Sequence, residues 1–393
     1  MREGFLPFAP PSIGEDEIAE VIDTLRSDWI TTGPKVARFE REFAARVDAP
    51  AAVALSSCTA AMHVALCSLD IGTGDQVICS PLTFCSSVHV VEHAGAIPLL
   101  ADVEADTLNL DPDRVEAVAA GNPAVKAIQP VHLYGHPCDL DALTAIASQR
   151  RLALVEDAAH SLPASYRGRP IGAPSRNREV VNLTAFSFYA TKNLTTAEGG
   201  MLTGPPALIE RARILALHGM SRDAYNRYSE AGSWYYEVVA AGFKYNMTDI
   251  QAALGLHQLR RLPDFQVRRQ EIAAAYARGL ADVAEIQLPT VRPEVEHAWH
   301  LYVIRLHLDR LTIDRARFIE EMKARNIGTS VHFIPVHMHP YYRDRYGYRP
   351  DDFPVARREY ERMLSIPIYP RMSNRDVEDV IAAVSSVAKR FRR

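Results

Sequence analysis

Cysteine is scarce in this chain and falls into no pairing pattern. Cys58, Cys67, Cys79, Cys85 and Cys138 include no CxxC pair, and an odd count over 393 residues suggests no disulfide framework. That usage fits a reducing cytosol, so a cytoplasmic protein is expected. Long apolar runs are also missing. None approaches membrane-spanning length, and residues 1–5 lack the apolar core of a secretion signal, so no membrane partner is expected. Charge of one sign is never concentrated. The 44 Lys and Arg are scattered against 48 Asp and Glu, a net charge of −4, which argues against nucleic acid as a partner. The short basic end at residues 389–393 reads as cations suited to a helix C-terminus. No GxGxxG turn follows the first apolar run, which weighs against a nicotinamide enzyme, and there is neither an internal repeat nor a low-complexity segment.

What remains is strand–helix alternation. A Pro-rich arm at residues 7–11 leads into an amphipathic helix over 15–25, and such an arm is expected to pack on a partner subunit. A turn at 27–34 and a second helix over 35–47 follow. Short apolar runs at 51–55, 76–79, 97–103, 125–131, 152–156, 181–188 and 201–203 then alternate with helical patterns. This predicts an α/β fold with a mostly parallel sheet covered on both faces. A long helix over 248–280 begins with Thr248 and Gln251 as its cap region. Beyond it a smaller α+β unit is expected, with strands at 300–308 and 329–333 and helices at 315–325, 354–364 and 375–390. The length accommodates two domains, residues 1–264 and 265–393.

Two strand exits carry the chemistry. Residues 184–188 read as a buried strand that stops at Ala190 and Thr191, leaving Lys192 just past its end. A lysine between apolar strands loses hydration, which favours the neutral amine that attacks carbonyls. The uncharged run 152–155 ends in Glu156, Asp157 and small residues, and delivers Asp157 to the carboxyl end of a core strand, where open α/β sheets bind ligands. Alone, Asp157 is equally a helix cap. Together, an amine and a carboxylate at two strand ends suit pyridoxal 5'-phosphate, whose aldehyde needs a lysine and whose ring nitrogen needs an acid.

Those residues, VEDAAHS followed by SFYATKNLTTAEGG, resemble the DegT/DnrJ/EryC1/StrS family of sugar aminotransferases. The likeness runs from WITTGP at Trp29 to LSIPIYPRMS ending at Ser373. It implies an aspartate-aminotransferase-like (fold type I) large domain with Lys192 as the Schiff-base lysine and Asp157 on the ring nitrogen. The turn at 56–61 opens a helix and suits an anion or a plain Ser/Thr cap; the resemblance implies Thr59 and Ala60 as phosphate ligands, with Ser187 as a third. Phe84 lies at the ligand end of the sheet, where an aromatic face could stack on a pyridine ring or simply fill core, and the family places its stacking aromatic there. His160 is implied beside the ring hydroxyl. Thr31 and Thr32 are candidate hydroxyl-binding groups near the substrate, or a polar turn.

The chain departs from the commonest family form at Lys244 and Asn246, where relatives carry asparagine and arginine. The asparagine of those relatives touches the phosphate of the neighbouring subunit, so which of Lys244 and Asn246 does so here stays open. A KYN version occurs in the branch that aminates C4 of UDP-sugars. Either form implies a homodimer with shared active sites. His332, His337 and His339 lie close in sequence, but their spacing is not that of a metal site. The resemblance instead turns His332 and Phe333 toward a nucleotide-linked keto sugar. The expected activity is a transaminase carrying nitrogen from glutamate to a nucleotide-linked 4-keto sugar. Rivals are a 3-keto sugar aminotransferase, a noncatalytic sensor that keeps the cofactor, and a dehydratase of the same family, which would carry histidine in place of Lys192.

Overall fold

The computed structural model describes residues 2–221 and 235–393. In chain order the first strands are β1 (Ala52–Leu55), β2 (Gln76–Cys79), β3 (Ile97–Leu100), β4 (Val125–Gln129) and β5 (Ala153–Asp157). The two-residue β6 (Ser165–Tyr166) and β7 (Arg169–Pro170) come next, then β8 (Asn182–Ser187) and β9 (Gly200–Thr203). Seven of these form one sheet in the order β1-β9-β8-β5-β4-β2-β3. Pairs from β8 through β3 are parallel, whereas β9 runs antiparallel to both its neighbours. β1 and β9 are buried along their whole length, as expected of strands covered on both faces. The helix Cys58–Ser68 is nearly all buried too, so it reads as an apolar block rather than an amphipathic one.

Register decides where chemistry can gather. Leu55 and Ser187 both pair with Gly200, and Asp157 pairs with Ala185, so the exits of β1, β5 and β8 lie along one edge. The glycine at 200 is required there. A Cβ on it would lie 2.4 Å from the carbonyl carbon of Ser57 and 2.6 Å from the nitrogen of Cys58, both backbone atoms. The start of β9 can press against the turn after β1 only without a side chain.

The second unit is built on the antiparallel sheet β10 (Ile286–Gln287), β12 (Tyr302–Leu306) and β13 (Met363–Ile366), while β11 (Val295–Glu296) pairs with β6. Helices Arg315–Lys323 and Asn374–Arg390 supply Phe318, Met322, Val380 and Val384 to its core. One helix, Asp249–Gly279, joins the two units. Thr248 caps it and Gln251 returns the bond, a capping box. Its first half gives Ala252, Leu256 and Leu259 to the core beneath β8, and its second half gives Ile272 and Tyr276 to the small sheet. The expected division after residue 264 falls inside this helix, next to Pro263.

One expectation changes. Residues 329–333 do not form a strand: only Ser330 pairs, with Ser365, and the chain then leaves the sheet because His332 and Phe333 turn into a cavity. Just before the Pro-rich arm, the N-terminal residues pack on their own chain. Leu6 bridges Ile327, with Leu6 N–H donating to Asn326 O (2.8 Å) and Gly328 N–H to Leu6 O (2.9 Å). Arg2 pairs with Asp376 and Asp379. Leu6 is 2% exposed within the small core, so apolar burial holds these residues where sequence periodicity is silent.

Candidate active site

The carboxyl edge of the sheet opens into a cavity of about 460 Å³ whose walls include Asp157, Lys192, Ser57, Thr59, Phe84, His160, Ser187, His332 and Phe333. Asp157 lies at its base, 4% exposed. Ser87 Oγ donates to its Oδ2 (2.7 Å) and the N–H of Ala159 to its Oδ1 (3.0 Å), with Cys58 Sγ 3.9 Å from Oδ1. A buried carboxylate holding good donors on both oxygens stays in one orientation.

Lys192 enters from the loop after β8. Its backbone N–H donates to Tyr189 O (2.9 Å), and the next residue, Asn193, anchors the loop by donating to the carbonyls of Leu162 and Ala298, both at 2.9 Å. Burial pushes the Lys192 amine down to about 8, against the pull of Asp157 and Cys58 toward the charged form. Among the described residues no hydrogen bond holds its Nζ. The group is therefore an available nucleophile near neutral pH.

The anion-seeking end is the turn after β1. Ser57 caps the helix by accepting from the N–H of Ala60 (3.0 Å), which leaves the first-turn N–H groups of Cys58 and Thr59 with no intrahelical acceptor. Thr59 and Ser187 line the cavity, whereas Ala60 is buried behind Ser57 and is not a wall. On the open side, Phe84 is 56% exposed, with its ring 5.7 Å from that of Phe333. His160 stacks on Phe333 at 5.8 Å and accepts the Tyr134 N–H on Nδ1 (3.2 Å), which places its ring proton on Nε2. Burial, then Lys192, holds His160 well below the usual histidine range, so it is neutral. His332 is pushed down to about 4 by burial and by Lys192, and its Nδ1 meets Ser365 Oγ at 2.8 Å.

Like Ala60, the expected residues Thr31, Thr32, Lys244 and Asn246 are not walls of this cavity. Thr31 and Thr32 are not cavity walls: Thr31 O accepts the Asp249 N–H, while Thr32 Oγ1 donates to Met247 O and accepts from Asn246 Nδ2, both at 2.6 Å. Lys244 is exposed and bridges Leu217, and Asn246 bridges Leu55, so neither reaches the cavity of its own chain. Conversely, Ser87, Cys58, Phe8, Tyr134 and His300 belong to the site without having been singled out. Ser87 could have been found, since it follows β2 at the same sheet edge as Phe84. Phe8, stacked on His332 at 5.4 Å, had no local signal.

A model of the DegT/DnrJ/EryC1/StrS aminotransferase family matches residues 11–385. The chain is 51% identical over 390 residues to the spore coat polysaccharide biosynthesis protein SpsC of Bacillus subtilis, covering 99% of this chain and 98% of that one. Among solved structures it resembles Spr1654 of Streptococcus pneumoniae. The PMP form of that protein gives a TM-score of 0.91 at 36% identity, covering 98% of this chain and 99% of that one, and its PLP form gives 0.90 at 35% with the same coverage. DesV of S. venezuelae is similar at a TM-score of 0.87 and 34% identity, covering 98% of this chain and 100% of that one.

Proposed function

Because this chain belongs to the DegT/DnrJ/EryC1/StrS aminotransferase family, we propose that it carries the amino group of glutamate to a nucleotide-linked 4-keto sugar, giving a 4-amino sugar nucleotide for a polysaccharide. The family is one of PLP-dependent transaminases of fold type I, and the sheet described above has that arrangement. The observation that carries the reading is the convergence of Lys192 and Asp157 on one cavity.

The residues present fit pyridoxal phosphate. A neutral-leaning amine, a fixed carboxylate, unpartnered N–H groups at a helix start and an exposed aromatic ring are the donor set that an anionic, aromatic aldehyde requires. When bound, the cofactor supplies a carbonyl that links to amines and a ring that accepts electrons from the substrate carbon. Lys192 would hold it and, once displaced, its Nζ would take the proton from the α-carbon of the donor and pass it to the former aldehyde carbon, then carry a proton from that carbon to the acceptor carbon in the second half-reaction. Asp157 would keep a positive ring nitrogen in place, Thr59 and Ser187 would bind the phosphate, and Phe84 would cover the ring. His160 would donate from Nε2 to the ring oxygen, and being neutral it adds no charge beside Lys192. Phe8, His332 and Phe333 wall the acceptor side and exclude water.

A homodimer completes this proposal. Asn246 and Thr32, with Lys244 two residues away in sequence, lie together beside exposed Trp29 and Ile30 and are not walls of their own cavity. That placement suits groups serving the site of a second copy. The C4 preference is supported by the KYN segment and the loop carrying His332, and the polysaccharide context by likeness to SpsC.

Glutamate alone, added to the PLP-loaded protein, is expected to bleach the visible band of the lysine-bound cofactor and release 2-oxoglutarate. Subsequent addition of UDP- and dTDP-linked 4-keto and 3-keto sugars, with mass analysis, should show amination of the 4-keto members. Binding without release of 2-oxoglutarate would replace this reading by a sensor, and amination of 3-keto sugars alone would move the chemistry to C3.

A further inference from the structure

We propose that the buried hydroxyls of Thr83 and Ser87 form a directed donor relay onto Asp157, making Ser87 the positioning residue for the carboxylate that meets the cofactor's ring nitrogen. The inference rests on the cofactor reading above and goes beyond it, since neither hydroxyl carries a function there. Ser87 lies in the first turn of the helix Ser86–His93 after β2 and is 70 residues from Asp157 in sequence, yet their side chains meet at 2.7 Å. Ser87 and Thr83 are each 1% exposed, so bulk solvent is largely kept from both hydroxyls.

Counting protons gives the direction. Asp157 Oδ2, as a carboxylate oxygen, only accepts, so the single hydroxyl proton of Ser87 goes to it. The 2.9 Å contact between Ser87 Oγ and Thr83 Oγ1 then requires Thr83 to donate. The order is Thr83 to Ser87 to Asp157, each donor strengthened by the one behind it. The Ser87 backbone is pinned as well, because Gln129 Nε2 donates to its carbonyl. The other oxygen, Oδ1, takes the Ala159 N–H, so the carboxylate is gripped from two elements at once.

Three titratable groups act on Asp157: Cys58 from the helix after β1, Cys79 from β2, and Lys192 from the loop after β8. Burial and Asp157 raise both thiols, which stay protonated, so among the described residues Lys192 is the charge-changing neighbour. Donors on a carboxylate lower its basicity and leave the shared proton on the ring nitrogen. Removing the Ser87 hydroxyl makes Asp157 the stronger base, draws that proton toward it, and weakens the positive ring charge that lowers the basicity of the lysine-bound group.

The test is a pH titration of the visible band in the PLP-loaded protein. Ser87→Ala is expected to raise the midpoint by about half to one unit and to weaken cofactor retention about tenfold. Thr83→Val should move the midpoint the same way by less, and Ser87→Thr should restore it. A Ser87→Ala midpoint equal to that of the unmodified protein overturns the relay, even if cofactor affinity falls, because a purely structural role would change affinity alone. Should Ser87→Ala not retain cofactor, Thr83→Val decides, and an unmoved midpoint there overturns the relay. If the unmodified protein shows no visible band with PLP, the cofactor reading fails instead.

Discussion

Replacing Lys192 by methionine should make the cofactor-free protein more stable at neutral pH, and the gain should disappear in alkali. Burial lowers the amine from 10.5 to about 8, so folding at pH 7 desolvates a charge that the unfolded chain keeps in water. The gap of about 2.5 units corresponds to about 3 kcal/mol, and about 2 kcal/mol after allowing for the part of the side chain that solvent reaches through the cavity mouth. Between the two values the unfolded chain binds more protons than the folded one, so stability rises with pH across about 8 to 10.5. Below that window the whole penalty is present, and above it the penalty is gone. Methionine carries none of it at any pH. Urea unfolding of both proteins at about pH 7 and about pH 10 is the assay, and the quantity read is the change in their difference. Packing effects of the substitution are the same at both pH values and cancel. A stability difference that does not shrink on raising the pH would refute the claim that this lysine is held against its charge.

Gly200→Ala should cost about 3 kcal/mol and much of the bound cofactor, because its Cβ would meet the backbone of Ser57 and Cys58 rather than a movable side chain. Thermal unfolding and PLP content measure both effects, and an unchanged Tm would show that the turn gives way. Mixing subunits carrying Lys192→Ala with subunits carrying Lys244→Ala and Asn246→Ala should restore about a quarter of the activity, since half the dimers then hold one intact site of two. No recovery after exchange would show that Lys244 and Asn246 serve no partner site.

The sheet was legible because its signals are local. Each buried parallel strand is a short apolar run, and the exits at Asp157 and Lys192 follow from where those runs stop. The strand expected at 329–333 failed for the same reason: its apolar residues face a cavity rather than a sheet, and periodicity cannot tell the two apart. Thr31 and Thr32 sit in a turn that suits hydroxyl binding or a plain polar turn, and its sequence says nothing of which chain's cavity it faces. The placement of the N-terminal residues also escaped, since Leu6 is held by residues more than 300 positions away.

Sequence by itself determined the α/β class, the strand exits and the identity of the amine and carboxylate, all properties of contiguous residues. Tertiary structure alone decided that these two groups open into one cavity, and that Ser87 and Phe8 complete the site. Register and burial produce those features, and both depend on which distant segments exclude water from one another.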